Sequence, residues 1–163
     1  MQRVLFHETV FGPIHSRRLG TSLGVNLSPV DGKVCSFDCL YCEAGFNAQG
    51  PGTSGLPPRQ CVREALESKL RAMKEAGENL DVITFSGNGE PTLHPEFSGI
   101  VDDTIELRDE YFPQVKISVL SNSTRLGLPG VDEALRKVDN NILKLDSAIT
   151  CLLYTSPSPR DPK

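Results

Sequence analysis

Three thiols lie within one short segment, Cys35-Ser36-Phe37-Asp38-Cys39-Leu40-Tyr41-Cys42, with gaps of three residues and then two. Thiolates this close in sequence can converge on one soft metal centre. A structural zinc wants four ligands, typically in paired C-x2-C groups. No further pair of that kind exists here, and His15 and His94 stand alone in sequence. A four-iron cluster held by three cysteines keeps one iron without a protein ligand, which is an open position for a substrate or cofactor. The spacing therefore favours an iron–sulfur centre, with a zinc site or inert buried thiols as the alternatives. Cys61 is distant from the segment and reads as a small, partly buried residue.

Other groups with chemical capacity follow short apolar runs. Ser86-Gly87-Asn88-Gly89-Glu90-Pro91-Thr92 combines glycines, which let backbone carbonyls approach a ligand closely, with a carboxylate suited to an ammonium. An ordinary strand-to-helix turn is the plainer reading of the same residues. Ser121-Asn122-Ser123-Thr124 supplies hydrogen-bonding side chains of the types that also cap turns and helices. Lys144 and Asp146 close a fourth run, where a lysine can hold a carboxylate or act on substrate, or simply end a solvated strand. Arg17 and Arg18 offer phosphate or carboxylate binding, though only one of two neighbours on an extended segment faces inward. Lys144, Asp146 and Arg17 are thus the candidates for catalysis. His15 and His94 lack partners in sequence and read as structural.

The elements that position these groups are legible in the apolar pattern. Residues 23–27, 82–85, 115–120 and 141–145 are short, rich in branched residues and followed by small polar ones, as strands entering loops are. Between them, Val62, Leu66, Leu70 and Met73 define one face of a helix over 62–76, stopped by Gly77. Phe97, Val101, Ile105 and the stem of Arg108 define a second face, ended by Pro113. Pro129 opens a third helix carrying Val131, Leu135 and Val138. Strand and helix alternate, so the fold class is α/β with a parallel sheet built from βαβ units. The cysteine segment follows the first strand and falls at the C-terminal edge, where such folds carry their chemistry. Residues 44–60, rich in Gly, Pro, Ser and Gln, form a long connection of the kind that is usually functional or mobile.

The C-x3-C-x2-C segment with an aromatic before its last cysteine resembles the radical S-adenosylmethionine (radical SAM) superfamily. The Gly87 to Glu90 turn resembles that superfamily's GGE-type motif, split here by Asn88. Ser121-Asn122 lies where its ribose-contacting residues lie. The run from Gly12 to Val25, with Ser16-Arg17-Arg18-Leu19-Gly20, resembles the branch of wybutosine-synthesis tRNA enzymes and related Fe–S oxidoreductases. The resemblance implies a partial (β/α) barrel with about four of six βα units present in this chain. It implies that Cys35, Cys39 and Cys42 ligate a [4Fe–4S] cluster whose open iron chelates SAM. Reductive cleavage of SAM would then give a 5′-deoxyadenosyl radical that abstracts a substrate hydrogen. Tyr41 would pack near the adenine. Gly87, Asn88, Gly89 and Glu90 would approach the methionyl amino group, and Ser121 and Asn122 the ribose. An external one-electron donor such as flavodoxin or ferredoxin is implied. The substrate would be a tRNA or, in the alternative branches that mature peptides or activate glycyl-radical enzymes, a polypeptide. A small non-catalytic zinc- or redox-binding module is the rival from another class.

The chain has 163 residues, 38% of them hydrophobic and 23% charged, which is a globular composition, and a net charge of −4 excludes a global basic field for nucleic acid. No apolar run is long enough to span a bilayer, and Met1 to Gly12 lacks the features of a leader. The reading is therefore cytoplasmic, with reduced cysteines and no membrane partner. Cys151 to Asp161 matches, in one reading frame, a widely used transposon sequencing adapter. Residues 1–150 are accordingly expected to be the N-terminal part of a radical SAM core, and 151–163 a non-native tail.

Overall fold

The computed structural model describes residues 3–144. Five strands form one sheet in chain order: β1 (Val10–Ser16), β2 (Gly20–Val25), β3 (Val82–Phe85), β4 (Lys116–Ser121) and β5 (Asn140–Leu143). β2 to β5 are parallel neighbours, as the alternating pattern predicts. β1 was not anticipated. It pairs antiparallel with β2, and its register shifts between Phe11 and Ile14. That irregularity and the Gly12-Pro13 pair break the alternation by which a strand is recognised. With β2 its single neighbour among the described strands, β1 holds a proline at no cost in ladder bonds. β2 also starts earlier than expected, and Asn26 to Ser28 already belong to its exit turn.

Three helices fill the crossovers: α1 (Arg59–Ala76), α2 (Phe97–Tyr111) and α3 (Pro129–Lys137). α1 buries Val62, Leu66, Leu70 and Met73, the expected face. Gly77 ends it with φ 67°, and the N–H groups of Gly77 and Glu78 return to the carbonyls of Lys74 and Met73. α2 is turned relative to expectation. It buries Phe97, Ile100, Val101, Thr104 and Leu107, while Ile105 is half-buried at the margin. The reason is that α2 lies between α1 and α3. Its Asp103 faces α1, where Arg59 donates two hydrogen bonds of 2.7 and 2.8 Å and Arg63 a third. The Arg59 bonds hold Asp103 below its ordinary carboxylate range against the opposing effect of burial.

The strand order never reverses. Right-handed crossovers that always step the same way put every helix on one face, as in a barrel wall and unlike a doubly wound sheet. The two faces differ. Rows Leu23–Ile83–Ile117 and Val25–Phe85–Val119 point toward the helices and are buried, with Phe85 edge-on to Phe97 at 5.9 Å. The opposite face carries Ser22, Thr84, Ser118 and Asn140, linked by a 2.8 Å Ser22–Thr84 bond and a 3.1 Å Asn140–Ser118 bond. Among the described residues, no helix is long and apolar enough to cross a membrane.

Candidate functional site

All four parallel strands end at the same edge, and the cysteine segment is bonded onto it. Val34 forms an isolated parallel bridge with Gly89: its N–H donates to the Asn88 carbonyl (3.3 Å), and the Glu90 N–H donates to the Val34 carbonyl (2.9 Å). A side chain at position 89 would put Cβ 1.9 Å from the Val34 carbonyl oxygen, and one at position 87 would put it 2.2 Å from Asn26 Oδ1. Both glycines therefore admit the protein's own groups. Asn88 lies between them. It is fully buried, its Nδ2 donates to the carbonyls of Phe6 (2.8 Å) and Pro29 (2.9 Å), and its Oδ1 accepts from the Phe6 N–H. Its side chain ties the N-terminal segment to the site edge and has no free donor for a bound molecule.

Glu90 braces two strand exits. Its buried carboxylate accepts from the Thr92 N–H (3.2 Å) and hydroxyl (2.6 Å), from the Ser121 hydroxyl (2.8 Å) and from the Asn122 N–H (2.7 Å). Ser121 is buried, and its hydroxyl also accepts from the Ser123 N–H, which leaves it no hydrogen for a ribose. Asn122 Oδ1 accepts from the Thr124 N–H (3.1 Å) and hydroxyl (2.7 Å). Because a backbone N–H can only donate, that bond fixes the amide orientation. Asn122 Nδ2 then donates to Ser36 Oγ (2.9 Å) and to Cys35 Sγ (3.5 Å). The exit of β4 thus touches the first cysteine itself.

Cys35, Cys39 and Cys42 are free and half-buried. A tight turn shapes their segment, with Cys42 N–H on the Cys39 carbonyl and Gly45 N–H on the Cys42 carbonyl. Burial pushes the Cys35 thiol above its ordinary value. The Phe37 N–H and the Lys33 ammonium oppose that rise, whereas Glu90 and Cys42 add to it. Lys33, Asp38 and Asn47, which the sequence reading passed over, surround the segment: Lys33 Nζ bonds Asp38 (3.1 Å) and the Gly45 carbonyl (2.9 Å), and Asn47 Nδ2 bonds the Cys35 carbonyl (3.0 Å). Asn26 was also missed. Its Oδ1 accepts from the N–H groups of Ser28 and Asn88, and its buried Nδ2 has no partner. An asparagine two residues before the Ser28-Pro29 pair is the one sequence signal that pointed to it.

Lys144, at the exit of β5, bonds the Tyr41 hydroxyl and has its ammonium 3.7 Å from the ring centroid. The two residues therefore meet at one edge. Asp146 lies outside the described residues. Arg17 is a correction. It sits in the β1–β2 turn, where Ser16 pairs with Gly20 at the start of β2, while the cysteines follow the end of that strand. The length of β2, about 17 Å at ~3.3 Å per residue, separates Arg17 and Arg18 from the site. His94 is structural as expected, with Nε2 on the Pro57 carbonyl and Nδ1 accepting from the Glu96 N–H. His15 is exposed on β1 at the edge away from the cysteines. Cys61 is exposed rather than partly buried, because it stands off the α1 face that buries Val62, Leu66, Leu70 and Met73.

Among the described residues, no three of His, Cys, Asp and Glu stand close enough to hold one metal ion. A closed zinc site, which needs four ligands meeting at a point, is not formed by them. A four-iron cluster makes a different demand, because its three thiolates bind three different irons at separate corners. Three half-buried thiols on one short loop, one of them accepting an amide N–H, are the donor set such a cluster uses.

The chain belongs to the radical SAM superfamily, whose family model matches residues 30–147. It is 35% identical over 144 residues to a UPF0026 protein of Helicobacter pylori, spanning 85% of this chain and 42% of that protein. It is 35% identical over 139 residues to a UPF0026 protein of Methanocaldococcus jannaschii, spanning 84% and 40%. The FeMo cofactor biosynthesis protein NifB of Azotobacter vinelandii is 26% identical over 118 residues, 72% of this chain and 22% of that protein. The chain thus spans less than half the length of these relatives. Among solved structures, BtrN in complex with AdoMet and 2-DOIA aligns with 83% of this chain and 52% of its own, at 18% identity and a TM-score of 0.49.

Proposed function

We propose that this chain carries the cluster- and SAM-binding part of a radical SAM enzyme. The observation that carries the proposal is the Val34–Gly89 bridge, which places the C-x3-C-x2-C segment beside the Glu90 turn, with Asn122 on Cys35. Cys35, Cys39 and Cys42 would hold a [4Fe–4S] cluster. When bound, such a cluster supplies the electron for reductive cleavage of SAM to a 5′-deoxyadenosyl radical. The chain's own residues position and enclose. Glu90 holds the β3 and β4 exits together, and Asn122 orients the first cysteine. Tyr41, braced by Lys144, flanks the last cysteine as a wall for the adenine. An external one-electron donor of the flavodoxin or ferredoxin kind would reduce the cluster.

The substrate is proposed as a tRNA or a peptide. In the tRNA reading, the run that resembles the wybutosine-synthesis branch carries Arg17 and Arg18 at the edge away from the cysteines, so they would be phosphate contacts remote from the chemistry. The test is anaerobic reconstitution with iron and sulfide, then SAM and dithionite. The expected product is 5′-deoxyadenosine, abolished by Cys39→Ala; product at the variant's level from the unaltered chain would contradict the proposal.

A further inference from the structure

Lys33 is the one lysine or arginine that is buried among the described residues, with its side chain 1% exposed. A buried cation is costly unless it is paired and fully hydrogen-bonded, and a methionine of similar length would fill the same space more cheaply. Here the ammonium donates two hydrogen bonds, one to a residue within the ligand segment and one just beyond it. The first acceptor is Asp38, between Cys35 and Cys39; the other is the Gly45 carbonyl, beyond Cys42. Asp38 also accepts the Asn47 N–H at 2.6 Å. Asn47 in turn donates to the carbonyls of Cys35 (3.0 Å) and Phe37 (3.4 Å). Three side chains thus fix the backbone before, within and after the three cysteines. None of these bonds requires a metal.

We propose that Lys33, Asp38 and Asn47 form a clamp that holds the cysteine segment in its ligating shape before iron arrives, with Lys33 the positioning residue for the cluster. The inference rests on the radical SAM reading. Partners that orient metal ligands typically contribute about 10–100-fold in metal affinity. The clamp has a second consequence, because net charge beside a cluster sets its potential. The Lys33 ammonium favours the reduced cluster and the Asp38 carboxylate disfavours it.

The experiment compares the reconstituted wild-type chain with Lys33→Met, Lys33→Arg, Asp38→Asn and the neutral double variant Lys33→Met/Asp38→Asn. It reads iron loss to a chelator, the midpoint potential by EPR-monitored titration and thermal unfolding of the apoprotein. Lys33→Met should lose iron about 10–100-fold faster with a more negative potential, and Lys33→Arg should restore most of both. Asp38→Asn should shift the potential the other way, and the double variant should lie between the two while unfolding like the wild type. Potential shifts of the same sign in the two single variants overturn the charge effect, and wild-type iron retention in Lys33→Met overturns the clamp. A wild-type chain that takes up no cluster overturns the radical SAM reading and the clamp with it.

Discussion

Gly89 leaves no space for even a methyl group, since its Cβ would fall within 2.7 Å of both the Val34 carbonyl carbon and Ser28 Oγ, as well as on the carbonyl oxygen. Gly89→Ala must push the cysteine segment off the sheet edge. It is expected to destabilise the apoprotein by ~1–3 kcal/mol, the usual range for overpacking, and to abolish cluster uptake. Thermal unfolding and iron content after reconstitution check both. An alanine variant that loads iron normally would show that the bridge does not position the cysteines. At this scale the sequence was informative where residue type and spacing suffice. Cys35, Cys39, Cys42, Glu90 and Asn122 all gather at the edge. It was uninformative where the role depends on distant partners. Asn88 reads as a ligand contact but is tied by Phe6 and Pro29, each more than fifty positions away. Lys33 carries no signal in the sequence, and only the fold shows that it is buried.

The long connection after the cysteines is organised by one carboxylate at the scale of the loop. Asp31 accepts from the N–H and hydroxyl of Thr53 and of Ser54, at 2.6 to 3.2 Å, although it is exposed. Those bonds hold its pKa far below the usual 3.8. A pKa depressed in the folded state contributes stability that is fully present above the unfolded value and is lost as pH falls through the folded one. Amide-exchange protection at Thr53 and Ser54 should therefore be flat above about pH 4 and fall below it, and Asp31→Asn should lack it throughout. Protection that persists unchanged well below pH 4 in the unaltered chain would contradict this role. Element type was legible wherever apolar spacing was regular, as in α1 and β3. The buried face of α2 and the existence of β1 were not. α2 is covered by both α1 and α3, so its buried stripe is wider than its face toward the sheet, and β1 is interrupted by a glycine, a proline and a register shift.

Across the whole molecule, the sheet separates two environments. The helix side is a close-packed apolar core, and the opposite side is lined by small hydroxyl and amide residues. The parallel strands end together, so residues from four separate segments meet at one edge without any being near in sequence. That meeting was predictable from the alternation of strands and helices alone. The basic β1–β2 turn was the exception, because an unrecognised antiparallel strand carries it to the other end. The central claim is that the edge holds an iron–sulfur cluster on Cys35, Cys39 and Cys42. Its most direct test is the count of iron and acid-labile sulfide per chain after anaerobic reconstitution, for the wild type and for each cysteine replaced by alanine. The prediction is about four of each, as a [4Fe–4S] cluster requires, lost on replacing Cys35, Cys39 or Cys42 and kept on replacing Cys61. One tightly bound zinc with no labile sulfide, or a cluster that survives Cys39→Ala, would contradict it.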